Sequence, residues 1–165
     1  MTYLLCAFLV LIGVLFRIIP HAPNFTPMLT IALMSGLYIK NRFSILLPIL
    51  IMLVSDLFIG SHIIAPWVYV SILIIYLIGR LIKNNALNVL LSSILSSILF
   101  FIVTNFGVWI SGGYLYSFKG LMTCYIMAIP FFKNTLISTV LFSGLVYFLH
   151  YFLDLVVLKY QKNKI

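Results

Sequence analysis

The stretch ALNVLLSSILSSILFFIVT (Ala86–Thr104) contains no charged side chain, and it decides the fold class of this chain. Its length falls in the range of about 17–25 apolar residues that crosses the roughly 30 Å hydrocarbon core of a bilayer. Apolar and polar residues do not alternate in it, which favours a helix over a strand of a membrane barrel. Hydrophobic residues make up 64% of the 165 residues and charged ones 7%. A water-soluble domain needs a charged surface, so the composition predicts an integral membrane protein.

Five other apolar runs bring the number of candidate spans to six. They are Tyr3–Ile19, Pro27–Ile39, Phe43–Leu57, Pro66–Ile82 and Thr135–Leu158. Only helices and closed barrels satisfy the backbone in lipid. The sequence therefore predicts an all-α membrane protein, a six transmembrane helix bundle formed by a single domain over residues 1–165. A shorter apolar run, Leu121–Phe132, lies in the connection before the last span.

The basic residues indicate how this bundle is oriented. With the N-terminus in the cytoplasm, seven of them fall on inner connections or in the tail: Lys40, Arg42, Arg80, Lys83, Lys159, Lys162 and Lys164. The outer connections hold three, Arg17, Lys119 and Lys133. This bias follows the positive-inside rule and predicts a multi-pass protein with both termini in the cytoplasm. A seventh helix through the 121–132 run would put the lysine-rich tail outside, so the charge count rejects it.

Small residues four positions apart indicate close helix packing. The pairs are Ala32 with Gly36, Ser92 with Ser96 and Ser93 with Ser97. Small side chains let helix backbones approach closely in a membrane, so we expect these positions at helix interfaces.

Most of the remaining polar residues collect at the outer face. Four separate stretches deliver them, and the candidates for substrate binding are Arg17, His21, Asn24, Asp56, Asn105, Trp109, Tyr114, Cys124 and Asn134. Ionisable groups at membrane depth are costly and mark a pathway, a ligand site or an internal pair. On the inner side, His150 and Asp154 lie one turn apart in the last span. We expect them to pair with each other or with lipid headgroups.

The charged candidates each have a structural alternative. Arg17 and Asp56 either form an ion pair that joins the first helix to the third, or contact a polar solute. His21 and His62 either cap helix ends or lie among lipid headgroups, or they bind a ligand or metal.

The aromatic candidates and the cysteine also allow two interpretations. Trp109, Tyr114 and Tyr116 form either an aromatic belt at the membrane surface or, beside Gly112, a lid over a pocket. Cys124 is either a small packing residue or a soft ligand for a transition metal.

Several catalytic motifs are missing from the sequence. It has no Gly-x-x-x-x-Gly-Lys-Ser/Thr loop, no His-Glu-x-x-His and no Gly-x-Ser-x-Gly elbow. Its two acids, Asp56 and Asp154, lie near opposite faces, which rules out general acid–base catalysis by paired carboxylates. We therefore expect a protein that is not an enzyme and uses no cofactor or resident metal. The net charge of +8 comes from basic residues scattered at helix ends, which predicts contact with lipid and no nucleic-acid partner.

Four stretches resemble a family of small bacterial membrane proteins. They are RIIPHAPNFTP (Arg17–Pro27), LVSDLFIG (Leu53–Gly60), TNFGVW (Thr104–Trp109) and GLMTCYIMAIPFFKN (Gly120–Asn134). The family is domain of unknown function 6580, whose members are regarded as transport proteins, and the resemblance covers nearly the whole chain. It implies a transport protein in the inner (cytoplasmic) membrane of a bacterium.

That family is similar in turn to the substrate-binding (S) components of energy-coupling factor (ECF) transporters. Those are six-helix proteins with both termini in the cytoplasm, and they capture vitamins or metal ions from outside. The similarity implies uptake of a small micronutrient: a vitamin, a vitamin precursor or a metal complex, with cobalamin among the candidates. It also implies an ECF-type energising module, a transmembrane coupling subunit with ATPases, acting in trans. Solitary cobalamin transporters of that superfamily use a cysteine toward the substrate cobalt, which by analogy gives Cys124 a role.

One departure from the S components concerns docking of the coupling subunit. Many of them carry an Ala-x-x-x-Ala surface on the first helix. Here Ala7 is followed four residues later by Leu11, so docking would use other residues or the protein would work alone.

These observations predict a cavity that opens at the outer face, under a loop over Asn105–Tyr116. For a binding protein we expect a volume of about 300 Å³ or more and contact with at least three of seven residues: Arg17, Asn24, Asp56, Asn105, Trp109, Tyr114 and Asn134. Two other classes of function make different predictions. A cysteine- or histidine-dependent intramembrane enzyme would lose turnover in Cys124→Ala. A non-catalytic assembly subunit would have no cavity, and its outer polar residues would pair among themselves.

Overall fold

The computed structural model describes residues 2–60 and 62–162, and within these ranges it contains six α-helices and no strand. The helices are α1 (Thr2–Ile18), α2 (Met28–Tyr38), α3 (Leu46–Ile59), α4 (Ala65–Leu81), α5 (Ala86–Val108) and α6 (Phe118–Lys162). The all-α fold predicted from the apolar runs is confirmed. By length and composition, two helical segments are long and apolar enough to cross a membrane, Ala86–Gly113 and Phe118–Val157.

Local side chains and backbone angles explain where several helices begin and end. The side chain of Asn85 accepts a hydrogen bond from Asn88 N at 2.8 Å and so caps the start of α5. Ser117 does the same at the start of α6, where its hydroxyl accepts from Gly120 N at 3.1 Å. α3 ends at Gly60, whose φ of 92° lies in the left-handed region that glycine adopts without strain.

Helix α2 lies at the centre of the bundle. All residues from Met28 to Gly36 are buried, and α2 contacts each of the other five helices. Around it, α1 packs on α3, α4 on α5, and α5 on α6. The α1–α2, α3–α4 and α5–α6 connections share one end of the bundle, which we call the cavity end. The α2–α3 and α4–α5 connections lie at the opposite end.

The predicted small-residue pairs are buried at helix interfaces. Ala32 is fully buried, and so is Gly36, which faces the backbone of α4. The four α5 serines at positions 92, 93, 96 and 97 are buried as well. The hydroxyls of Ser93 and Ser97 donate to carbonyl oxygens four residues earlier, which satisfies them inside the helix.

The structure corrects the predicted loop over Asn105–Tyr116. α5 continues to Val108, and a π-helical turn, Trp109–Gly113, follows it directly. Gly112 has a φ of 85°, and the helical path ends at this glycine. The connection to α6 is therefore only residues 114–117, because no residue before Gly112 forces the backbone out of the helix.

The structure also corrects the boundary before the last span. The run Leu121–Phe132 is no part of a connection, since it forms one continuous helix of 45 residues with the predicted span Thr135–Leu158. The polar pair Lys133–Asn134 marks no break, because polar side chains do not interrupt backbone hydrogen bonds. Pro130 lies inside α6 and removes one such bond.

At the opposite end, aromatic and polar side chains join α2 to α6. The rings of Tyr38 and His150 stack with centroids 3.9 Å apart, and the Tyr38 hydroxyl donates to Asn84 Oδ1 at 3.2 Å. His150 Nδ1 lies 3.1 Å from Asp154 Oδ2, which confirms the predicted pairing of these two residues, both in α6.

Candidate functional site

A cavity of about 500 Å³ lies at the cavity end of the bundle. Side chains of α1, α3, α4, α5 and α6 form its walls, together with the proline-rich α1–α2 connection. Met28 and Leu29, the first residues of α2, line it, as do the buried side chains of Met52 and Ile72. The cavity therefore reaches from the end of the bundle into its core. Its volume lies within the roughly 300–1,000 Å³ typical of small-molecule sites.

Six of the nine predicted binding residues line this cavity: Arg17, His21, Asn24, Asn105, Tyr114 and Cys124. Of the seven residues from which we expected at least three to contact the cavity, four line it: Arg17, Asn24, Asn105 and Tyr114. They come from the last turn of α1, the α1–α2 connection, the end of α5 and the start of the α5–α6 connection. The fold thus brings together residues that are almost 100 positions apart in the sequence.

Arg17 is held in the cavity wall by its neighbours. Its Nη2 donates to Asp56 Oδ1, and its Nη1 donates to the sulfur of Met52. The Arg17 and Asp56 side chains are each 13% exposed, so this is a nearly buried ion pair between α1 and α3. The second oxygen of Asp56 accepts from the Tyr69 hydroxyl of α4 at 2.9 Å. Both oxygens of this carboxylate are therefore occupied by donors from other helices.

Three of the predicted binding residues do not line the cavity: Asp56, Trp109 and Asn134. Asp56 is turned to Arg17 and Tyr69, as described above. Trp109 donates from Nε1 to Leu115 O at 3.0 Å. Asn134 donates from Nδ2 to Pro23 O at 3.0 Å and so ties α6 to the α1–α2 connection. Each of these side chains has a partner within the protein, because the fold satisfies its polar group locally.

The aromatic residues after α5 divide between the two interpretations offered by the sequence. Tyr114 lines the cavity. Trp109 and Tyr116 pack edge to face with centroids 5.9 Å apart, and neither lines the cavity. The Tyr116 hydroxyl donates to Ile110 O at 3.0 Å. Of these three aromatic residues, Tyr114 is therefore the one placed to contact a bound molecule.

The α1–α2 connection carries the two flanking polar residues of the site. Asn24 has a φ of 61°, a left-handed conformation that asparagine tolerates better than most residues. His21 Nδ1 donates a hydrogen bond to Ile19 O at 2.7 Å. The other ring nitrogen, Nε2, is not used by this bond. Both residues are exposed at the rim of the cavity, and His62 of the α3–α4 connection also lines it.

Cys124 and Asn105 link α6 to α5 on the far wall. The Cys124 thiol is 1% exposed and donates to Asn105 O at 3.4 Å. The Asn105 amide nitrogen donates to Phe101 O at 2.7 Å. Its side-chain oxygen has no such bond and remains an acceptor at the cavity. Within the described ranges, no group of three histidine, cysteine or acidic side chains is placed to hold a metal ion.

Most of the cavity wall is apolar, and the aromatic part of it was missed from the sequence. Phe100 and Phe101 of α5 and Phe131 and Phe132 of α6 all line the cavity. The rings of Phe101 and Phe132 lie 4.9 Å apart, centroid to centroid. Two Phe-Phe pairs, one on each arm of the α5–α6 hairpin, were the available signal. The same residues are equally typical of a lipid-facing helix, so the sequence alone could not assign them to the site.

Comparison with known proteins identifies a family and no individual relative. No curated protein and no solved structure gives a significant match to this chain. The family of unknown function DUF6580 has a model that matches residues 1–161. Since the match covers almost the whole chain, this protein belongs to the DUF6580 family.

Proposed function

We propose that this protein is a six-span membrane transport protein of S-component type that binds a small micronutrient in the cavity. In this proposal the cavity end faces outside, and both termini lie in the cytoplasm of a bacterium. The bundle holds the solute in the cavity and then reorients to release it inward. An ECF-type energising module in trans is the partner that this mechanism calls for.

The exterior of the bundle supports membrane insertion. In the most hydrophobic 18-residue stretch of Ala86–Gly113, only 28% of the residues are buried inside the protein. In that of Phe118–Val157, only 11% are buried. A core helix of a soluble protein would be mostly buried. Large apolar side chains are exposed on five of the helices, α1 and α3 to α6, including Leu57 at 83% and Leu81 at 84%. Exposed apolar surface of this extent is stable only in contact with lipid or another protein.

The observation that carries the binding proposal is the cavity itself. It is largely apolar, and a few polar groups from separate helices converge on it, which is the usual design of a small-molecule site. An assembly subunit was expected to be solid at this end, with its polar residues paired among themselves. The cavity, with Arg17, Asn24 and Asn105 at its wall, favours the binding proposal over that alternative.

The size of the cavity favours small solutes over a corrinoid. A volume of about 500 Å³ suits a drug-sized molecule, and cobalamin is much larger. Cys124 also does not resemble a cobalt ligand, since its thiol is buried and donates to a backbone carbonyl. We therefore propose a vitamin precursor or another small organic nutrient. The same bond disfavours the enzyme alternative, because a carbonyl oxygen does not take up the thiol proton as a histidine would.

A test is the recovery of a bound molecule from the purified protein. Full-length protein is isolated in detergent from cells grown in rich medium, extracted with organic solvent, and the extract is analysed by mass spectrometry. We expect one small molecule at near-stoichiometric amount. In Ala128→Phe it should be absent, because Ala128 is 8% exposed and lines the cavity, so the added ring would fill it.

The matched control places the same ring on the same helix outside the cavity. Ile126 is 62% exposed and does not line the cavity, so Ile126→Phe should retain the molecule. Recovery of the molecule from Ala128→Phe at the same level as from the control would contradict binding in this cavity.

A further inference from the structure

The fixed charge at the cavity wall is positive, with no negative charge beside it that is free to bind a ligand. Among the residues that the structure describes, Arg17 is the only one with a fixed charge that lines the cavity, and no acid lines it. The whole sequence contains two acids. Asp154 lies beside His150 at the opposite end of the bundle. Asp56 is near the cavity, but both of its oxygens accept hydrogen bonds from Arg17 and Tyr69. A cationic solute would therefore find no free carboxylate.

Arg17 retains donors that the protein does not use. A guanidinium group carries five N–H bonds. The structure gives partners to two of them, the Asp56 carboxylate and the Met52 sulfur. Nε is buried without any hydrogen-bond partner. Asp56 and Tyr69 thus act as positioning residues, which fix the guanidinium in the wall and leave the second N–H bonds of Nη1 and Nη2 for a ligand.

The start of α2 adds a second source of positive potential. Pro27 precedes this helix, and no side chain caps it. The first helical bond runs from Ile31 N to Pro27 O at 2.8 Å. The backbone amides of Met28, Leu29 and Thr30 therefore have no acceptor within the helix. Met28 and Leu29 line the cavity, so the positive end of α2, a helix buried from Met28 to Gly36, is directed at it.

The rest of the cavity wall indicates the chemistry of the uncharged part of the solute. The four phenylalanines of α5 and α6 described above and Ile72 of α4 give the cavity an extended apolar surface. We propose that the cavity binds a small organic anion with an apolar or aromatic body, and that Arg17 and the first amides of α2 bind its carboxylate- or phosphate-type group. This inference rests on the proposed function, because it names the substrate class for the same cavity.

The test uses three probes that share one ring and differ in charge: phenylacetate, phenylacetamide and phenethylammonium. Their dissociation constants for the full-length protein in detergent are measured by ligand-observed NMR titration. We expect phenylacetate to bind about tenfold or more tightly than its neutral amide, because hydrogen bonds to a charged group are roughly twice as strong as neutral ones. Phenethylammonium should bind most weakly.

Two variants separate the substrate class from the existence of the site. Ala128→Phe should abolish binding of phenylacetate. The double variant Arg17→Gln with Asp56→Asn removes both charges while keeping polar side chains of similar size. In this variant the preference for phenylacetate over phenylacetamide should disappear.

The possible results lead to distinct conclusions. Equal binding of the acid and the amide, or a preference for phenethylammonium, would overturn the anion proposal while leaving the cavity as a binding site, provided that Ala128→Phe abolishes binding. A preference for phenylacetate that survives in the double variant would overturn the role of Arg17. Binding of all three probes that Ala128→Phe leaves unchanged, or no binding of any probe, would overturn the anion proposal and the proposed function together.

Discussion

Gly79 of α4 lies against Leu33 of α2 so closely that a Cβ atom at position 79 would stand 2.0 Å from the Leu33 carbonyl oxygen. The contact is reciprocal, since a Cβ at Gly36 would stand 2.3 Å from Tyr76 O. Both obstacles are backbone atoms, which cannot move aside without shifting a helix. The two glycines therefore set the distance between the central helix and α4.

We predict that Gly79→Ala lowers the free energy of unfolding by about 1–3 kcal/mol, the usual cost of forcing extra volume into a packed interface. The measurement is thermal unfolding of the detergent-purified protein. Gly144→Ala is the matched control, because no atom lies within 4 Å of its added Cβ. Alanine also favours a helix more than glycine, so this control should be at least as stable as wild type. Equal unfolding temperatures for Gly79→Ala and Gly144→Ala would contradict the close contact.

The Arg17–Asp56 pair gives a second prediction. Replacing either residue alone by leucine leaves a nearly buried charge without its partner, so we expect each single variant to lose about 3–5 kcal/mol. The double variant Arg17→Leu with Asp56→Leu should recover most of that loss, as measured by unfolding in detergent. If the single variants unfold like wild type and yet fail to bind ligand, the pair serves binding and contributes little to stability.

Tyr69 gives a third prediction, because it holds the second oxygen of Asp56. Tyr69→Phe should lower the free energy of unfolding by about 1–3 kcal/mol, since it removes one donor from a carboxylate. In the background of Arg17→Leu with Asp56→Leu, the same substitution has no carboxylate to affect and should be close to neutral. A loss of equal size in both backgrounds would show that Tyr69 stabilises the protein by packing alone.

The helices could be predicted from the sequence, but two of their boundaries could not. Apolar runs located all six helices, because the composition of a segment records its burial or its contact with lipid. The end of α5 and the start of α6 were misplaced, since polar residues such as Asn105 and Lys133 were taken as loop residues. A helix ends where the backbone must leave it, as at Gly112 with its φ of 85°. Polarity of the side chains does not indicate that point.

The candidate site could be predicted in part, for a related reason. Residues such as Arg17 and Asn105 are unusual in an apolar chain, so they stood out. Tyr69 did not, because a tyrosine in an apolar helix is ordinary. The signal that could have identified Tyr69 is its distance from the end of the bundle, which matches that of Asp56. Tyr69 lies one turn inside the start of α4, and Asp56 lies one turn before the end of α3. The pairing itself depends on how helices distant in sequence pack, which composition does not record.

Cys124 gives a fourth prediction, which separates a packing residue from a ligand. The side chain is 1% exposed, so Cys124→Ala should cost about 1 kcal/mol of stability, as is typical of a small change in a core. Binding of phenylacetate should stay unchanged, because the thiol already donates to Asn105 O. The measurements are thermal unfolding and the NMR titration on the same preparation. Lost binding in a variant that stays folded would assign the thiol to the ligand site.

The last prediction concerns the membrane topology. Reporter fusions after Arg42, Lys83 and Lys164 should give a cytoplasmic signal, and fusions at Ser61 and Ser117 a signal from outside. Ser61 and Lys164 lie outside the residues that the structure describes, so these two fusions rest on the charge pattern of the sequence. Ser117 rests on the structure as well, because it immediately precedes α6.

α6 makes the Ser117 fusion decisive. A helix of 45 residues is about 67 Å long at 1.5 Å per residue, more than twice the roughly 30 Å hydrocarbon core. If α6 crosses the membrane once, Ser117 and the lysine-rich tail must lie on opposite sides of it. A cytoplasmic signal at both Ser117 and Lys164 would mean that α6 crosses twice or not at all. Either result would contradict the six-span arrangement and the outward-facing cavity that depends on it.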